Sequence, residues 1–419
     1  MAEGAGGGGG RLLGWAIAAL WAATAFSVFR NSTGDDLASV YLAAWFHAVD
    51  RPDLIYDYHP VLFTDVAAPE WAEAGVARGH LAPERLHPYV QPPLWAALLA
   101  PVAEAVRFPA FHLAALALEI ACLVGAAALA RRMWYPDRPG GILVPLLVLG
   151  LSWPFVASML LAQIQPLVTL LVLRAMERDA AGRPGAAGLC LATAAALKLS
   201  PAVLGLYWLA TGRWRSLGWA ALAGAGWAAL MLALVDWRLV EAFLERLSGL
   251  GDSVVLGLAN AGVPALLYSA VEGAAVDYTI RSAPDWLAPA GAALLLGLIA
   301  TAALRGRGAP AEWRNRTMVP AVLIGTAVLS PLAWVHYFTL AVLFLPALPA
   351  LWGRWRGLAL AAASWALISV PFPLVFMLDG GAGPPEGPEY AFPVTAGVLL
   401  ALIGALAAPR PDRDRLSAG

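Results

Sequence analysis

Apolar and polar positions in this chain fall into long separate blocks, not into the alternation of a half-buried strand. Apolar runs cover 12–29, 92–106, 110–130, 141–160, 164–175, 187–211, 217–235, 256–271, 286–304, 318–333, 336–352, 357–377 and 391–407. A membrane-crossing helix needs about 20 apolar residues, so most of these blocks are predicted to be spanning helices. Arginines cluster between them at 131–138, 174–183, 213–215, 305–316, 354–356 and 410–415. The excess of basic residues in cytoplasmic loops makes these six segments cytoplasmic. The acidic, arginine-free stretch 379–389 is then outside.

This assignment constrains the blocks themselves. The 187–211 run begins and ends at cytoplasmic arginines, so it is predicted to turn back near Ser200–Pro201, where proline breaks a helix. The 92–106 and 256–271 runs start and end outside. Being short and interrupted by proline and glycine, they are read as re-entrant or interfacial. About twelve crossings remain, with both termini in the cytoplasm. Residues 12–408 form one transmembrane domain, preceded by a disordered glycine-rich segment 1–11 and followed by a tail, 409–419. The 12–29 run has features of a signal peptide but is read as an uncleaved first span. Loop 30–90 is the largest outer segment, and its stretches 37–49 and 64–77 are expected as amphipathic helices on the membrane.

Composition agrees: 60% of residues are hydrophobic and 13% charged, outside the range of a soluble globular domain. The fold class is therefore an all-α polytopic membrane protein. Cys122 and Cys190 both lie in apolar runs and read as core residues. No phosphate-binding glycine loop, metal-ligand spacing or 20–50-residue repeat is visible.

Polar residues in or beside the apolar runs are the candidates for chemistry. Asp35 and Asp36 follow the first run. Either suits the start of a helix, and either can act as a general base at the membrane boundary. Gln163 and Gln165 mark an outer turn, where glutamine also satisfies a helix break. Lys198 lies about 16 Å into its run, a costly place for an ammonium unless it snorkels or faces a cavity; there it is suited to hold a phosphate. His336, beside Trp334 and Tyr337, follows a proline-marked turn, and the aromatics alone fit an interfacial belt. The arginine pattern puts Asp36, Tyr89–Pro93, Gln163, Lys198, Asn260 and His336 near one, outer, face.

Five stretches together resemble glycosyltransferase family 87, membrane enzymes that use polyprenyl-phosphate sugars. They are DLASVYLAA (36–44), PYVQPPLWAALLAPVA (88–103), AQIQPLVTLLVL (162–173), AAGLCLATAAALKLSPAVLGLYWLATGRWRS (186–216) and LSPLAWVHYF (329–338). The resemblance implies a C-type glycosyltransferase fold with juxtamembrane helices in the first outer loop. It implies a catalytic base at Asp36 and a functional histidine at His336; the candidates for substrate contact are Asp35, Tyr41, Tyr89, Gln91, Gln163, Gln165, Lys198, Asn260, Trp334 and Tyr337. The family tends to have asparagine where this chain has Gln165, and a polar residue after Asn260 where this chain has Ala261.

The expected reaction is inverting transfer of a mannose- or arabinose-class sugar from a polyprenyl phosphate to a hydroxyl of a glycolipid or glycan, at the outer face of a bacterial plasma membrane. Expected partners are that donor, that acceptor and the lipid bilayer, with no nucleic acid; no cofactor or metal is called for. Two other classes fit part of the pattern. A transporter or flippase would carry broken helices in two similar halves, and a ligase would move a whole lipid-linked glycan.

Overall fold

The computed structural model describes residues 7–57, 59, 61–63, 65–80, 86–136, 141–251, 253–257, 260–273, 279–370 and 391–410. The outer acidic stretch 379–389, most of the expected disordered N-terminus (1–6) and tail residues 411–419 lie outside this range.

The chain is almost entirely helical. The first helix, α1 (Gly7–Phe29), is apolar all round and takes in Gly7–Arg11. The segment after it carries α2 (Asp35–Ala48) and α3 (Glu70–Arg78). Next come α4 (Pro93–Ala105), α5 (Phe108–Trp134), α6 (Leu143–Gly150), α7 (Trp153–Leu161), α8 (Gln165–Ala180), α9 (Pro184–Leu197), α10 (Val203–Ala210), α11 (Trp214–Leu234) and α12 (Trp237–Gly251). The C-terminal half has α13 (Val263–Glu272), α14 (Leu287–Gly306), α15 (Ala311–Val328), α16 (Thr339–Phe344), α17 (Leu348–Trp352), α18 (Arg354–Ser369) and α19 (Ala391–Leu406). One small hairpin, β1 (Ser253–Val255) against β2 (Ile280–Ser282), pairs Val254 with Arg281.

Five helical segments among the described residues are long and apolar enough to cross a bilayer, or six if the bent pair α6–α7 is one span. None of the α11 window is buried and only 17% of the α1 window is, so these helices turn apolar side chains outward, as lipid-facing spans do. At 1.5 Å per residue, α4 and α13 reach only about 20 and 15 Å, too short to cross.

Three expectations differ from what is observed. The 141–160 run is not one straight span: α6 and α7 meet at 71°. Ser152 makes the corner by donating to Leu149 O (2.7 Å) and accepting from Phe155 N (3.4 Å), with Pro154 starting the new helix. The 336–352 run alternates tight 3₁₀ turns with α16 and α17, because Pro346 and Pro349 remove backbone donors. Helix α2 does not lie on a surface; nine of its residues, Asp35 among them, are buried.

The 187–211 run is a helical out-and-back. Helix α9 leaves the Asp179 end of α8 and reaches Gln165, about 21 Å away at the other end, at Lys198. Helix α10 then returns, so that Arg213 and Ser216 meet Asp179 at 3.5 and 2.6 Å. Gly188 lets α11 close on α9: a Cβ there would come within 2.5 Å of Ala220 N.

Candidate active site

Helix α2 starts from Gly34, whose left-handed backbone (φ 63°) has the His112 ring 3.1 Å from where a Cβ would be. Both carboxylates then fall in the first turn, where free N–H groups and the helix dipole favour negative charge. They point to different places. Asp36 is hydrogen-bonded to Nδ1 of His87; Asp35 is buried, with its Oδ1 3.9 Å from Nε2 of His80. Tyr41, one turn on, is spent on architecture. It donates to Val106 O (2.7 Å) and accepts from Arg78 Nε (2.8 Å), tying α2 to α3 and to the end of α4. Burial pushes its hydroxyl pKa up, and the Arg78 guanidinium opposes that in part.

Lys198 ends α9 in extended backbone (φ −156°, ψ 124°). Trp95 of the PPLW stretch fixes this end of the helix through an indole N–H to Ala196 O at 2.7 Å. The Lys198 ammonium donates to Gln165 Oε1 at 3.1 Å and sits 3.3 Å from the ring centroid of Tyr337. Such a cation–π contact contributes about 0.5–2 kcal/mol. Lys198 has no carboxylate within 4 Å among the described residues; Asp36 is close enough for its charge to act on both Lys198 and Tyr337.

His336 is 3% exposed and packs edge-on against Tyr337, with centroids 4.7 Å apart. Its electrostatic neighbours are Lys198 and His87, and its Nε2 has no hydrogen-bond partner among the described residues. Asn260 holds the loop that carries it. The Asn260 amide donates to Val255 O (2.9 Å) and Pro331 O (3.0 Å) and accepts from Gly262 N (3.2 Å) and Ala333 N (2.9 Å). That is the full capacity of an amide side chain. Trp334 pairs with Asn260 along the backbone and leans on Phe63 at 5.8 Å.

The structure thus brings Asp36, Gln165, Lys198, His336 and Tyr337 to one place, together with His87. Gln163 is buried in the turn that leads into α8. Tyr89 and Gln91 form part of the frame: the Tyr89 hydroxyl donates to Pro92 O at 2.7 Å, and the Gln91 carbonyl accepts from Tyr56 at 2.7 Å. Sequence reasoning missed His87. Its one signal was position, next to the Pro88–Tyr89 stretch in a loop that also carries Asp36. No cluster of three or more His, Cys, Asp or Glu suited to a metal occurs among the described residues.

A carboxylate with a histidine on it, near enough to an ammonium for their charges to interact, can move a proton on one side and hold an anion on the other. The profile of glycosyltransferase family 87 matches residues 89–331, more than half of the chain. The chain belongs to glycosyltransferase family 87. It is therefore a membrane glycosyltransferase. A search of curated proteins gives no match. Within the matched range lie Gln165, Lys198 and Asn260; Asp36, His87, His336 and Tyr337 lie outside it and join the site through the fold.

Proposed function

We propose that this family 87 enzyme transfers one mannose- or arabinose-class sugar, with inversion, from a polyprenyl phosphate to a hydroxyl of a glycolipid or glycan. Transfer takes place at the outer face of a bacterial plasma membrane. The observation that carries this reading is the nearness of the Asp36–His87 pair to the Lys198 ammonium.

Asp36 removes the acceptor proton as the acceptor oxygen attacks the anomeric carbon, and the bond from that carbon to the donor phosphate oxygen breaks. His87, on Asp36, orients the carboxylate and shares the proton. An ammonium has three donors: Gln165 takes one and the Tyr337 face supports the charge, so the rest of the group is directed at the departing phosphate. Preorganised charge of this kind stabilises the negative charge that grows on the leaving group. Phosphate leaves without protonation by a second carboxylic acid, unlike the alcohol expelled by glycoside hydrolases. His336 supports the phosphate side, and Asn260 keeps its loop in place.

The outer-face assignment is supported by α8. Gln165 begins it, and the arginines that pair with Asp179 and Glu177 gather at its other end. The end of α19 also meets an arginine, since Arg305 donates to Ala408 O at 2.9 Å. About twelve crossings in a C-type arrangement, with both termini cytoplasmic, fit this placement. An apolar cavity of about 290 Å³ begins two residues after Lys198, lined by Ser200, Val203, Leu287, Leu295, Thr326 and Pro331 among others. It suits the first isoprene units of the donor.

The test is transfer of labelled sugar by the purified protein from polyprenyl-phosphate mannose and polyprenyl-phosphate arabinose, with membrane lipid extract as acceptor. A new glycolipid with inverted anomeric configuration is the expected product. No transfer from either donor overturns the donor assignment, and retained configuration overturns the mechanism.

A further inference from the structure

Directly behind Asp36 lies a second polar cluster that takes no part in the reaction above. Asp35 is 1% exposed and faces His80, which is itself 4% exposed. Phe108 of α5 lies between two histidines, its ring 5.1 Å from that of His80 and stacked at 5.8 Å and 9° on that of His112. The His112 Nε2 is 3.2 Å from Ser32 Oγ, and Ser32 Oγ donates to Met159 O at 3.3 Å. A hydroxyl has one proton, so with Ser32 donating to Met159 the imidazole N–H points at Ser32. The cluster therefore joins the loop after α3, the start of α5, the end of α7 and the start of α2. Gly34 seals it, its N–H bonded to Leu160 O at 3.2 Å.

Burying this many polar groups costs free energy unless they are paired, and an apolar packing of the same volume would hold α2 as firmly. Their position suggests what they do. Successive residues of a helix point about 100° apart, so fixing Asp35 inside fixes the direction in which Asp36 leaves the helix.

We propose that the buried Asp35–His80 pair, braced by His112 and Ser32, is a positioning device: it aims Asp36 at the acceptor. This rests on the reading of Asp36 as the base.

The experiment compares Asp35→Asn, His80→Gln and Asp36→Asn in purified enzyme, measuring kcat, donor and acceptor KM, and the folded fraction of each preparation. Asp35→Asn and His80→Gln are each expected to lower kcat by about ten- to a hundredfold, the scale of a misplaced catalytic group, with KM values within about twofold. A purely structural role would lower the folded fraction and leave kcat per folded enzyme where it is in wild type, and that result overturns the proposal. If Asp35→Asn does not fold, His80→Gln carries the test alone through its kcat at unchanged KM. Wild-type rates in Asp36→Asn would overturn the base assignment itself. An inactive Asp36→Asn beside unchanged Asp35 and His80 variants overturns only the positioning role.

Discussion

Replacing Lys198 by glutamine separates the role of its charge from the role of its shape. In the folded protein its ammonium is held between Gln165 Oε1 at 3.1 Å and the Tyr337 ring at 3.3 Å. A glutamine is one bond shorter but keeps an N–H donor on this side and carries no charge to bury, so unfolding stability should change by under about 1 kcal/mol. Catalysis should respond far more strongly. Loss of one preorganised charge facing a leaving group costs about 3 kcal/mol, hence roughly a hundred- to two-hundredfold in kcat. The assay is single-turnover sugar transfer beside thermal unfolding of the same preparation in detergent. Tyr337 supplies the control. Tyr337→Phe keeps the ring face and should stay within about threefold of wild type. Tyr337→Leu removes the cation–π contact, about 0.5–2 kcal/mol, and should lose roughly two- to thirtyfold. A Lys198→Gln enzyme with kcat within threefold of wild type would refute the phosphate-stabilising role. So would equal losses in Tyr337→Phe and Tyr337→Leu refute the part given to the ring.

Three further outcomes are expected. Gly34→Ala places a Cβ in left-handed backbone against the His112 ring, which should cost about 2 kcal/mol of stability and lower the unfolding temperature. Asn260→Ala strips four backbone partners at once; it should destabilise by about 3 kcal/mol and reduce kcat through the His336 loop, read by calorimetry beside turnover. Ala292→Trp fills the cavity beyond Lys198; displacing about two methylenes of prenyl chain should raise donor KM about tenfold for a long-chain donor and leave a short-chain donor within about twofold.

Much of the fold could be read from the chain because lipid imposes simple rules. Arginine placement put a turn near Ser200–Pro201, and the structure brings the return leg back to Asp179 through Arg213. What could not be read depended on distant partners. The corner at Ser152 looks like any serine in an apolar run until its bonds to Leu149 and Phe155 are seen. Helix α2 reads as a surface helix because its alanines are neutral to burial, and only the Tyr41–Arg78–Val106 contacts draw it inside. His87 is 51 residues from Asp36, so no local spacing connects them. Lys198 was legible for the opposite reason, since an ammonium in an apolar run needs an explanation on its own.

Everything proposed for the reaction depends on Asp36 taking the acceptor proton. The most direct measurement is single-turnover transfer from a prenyl-phosphate sugar by Asp36→Asn and Asp36→Glu beside wild type, with donor binding measured on the same samples. The asparagine variant should bind the donor within about threefold of wild type and transfer sugar at least about a thousandfold more slowly, and the glutamate variant should recover part of the rate. Transfer by Asp36→Asn at a rate near wild type would contradict the account.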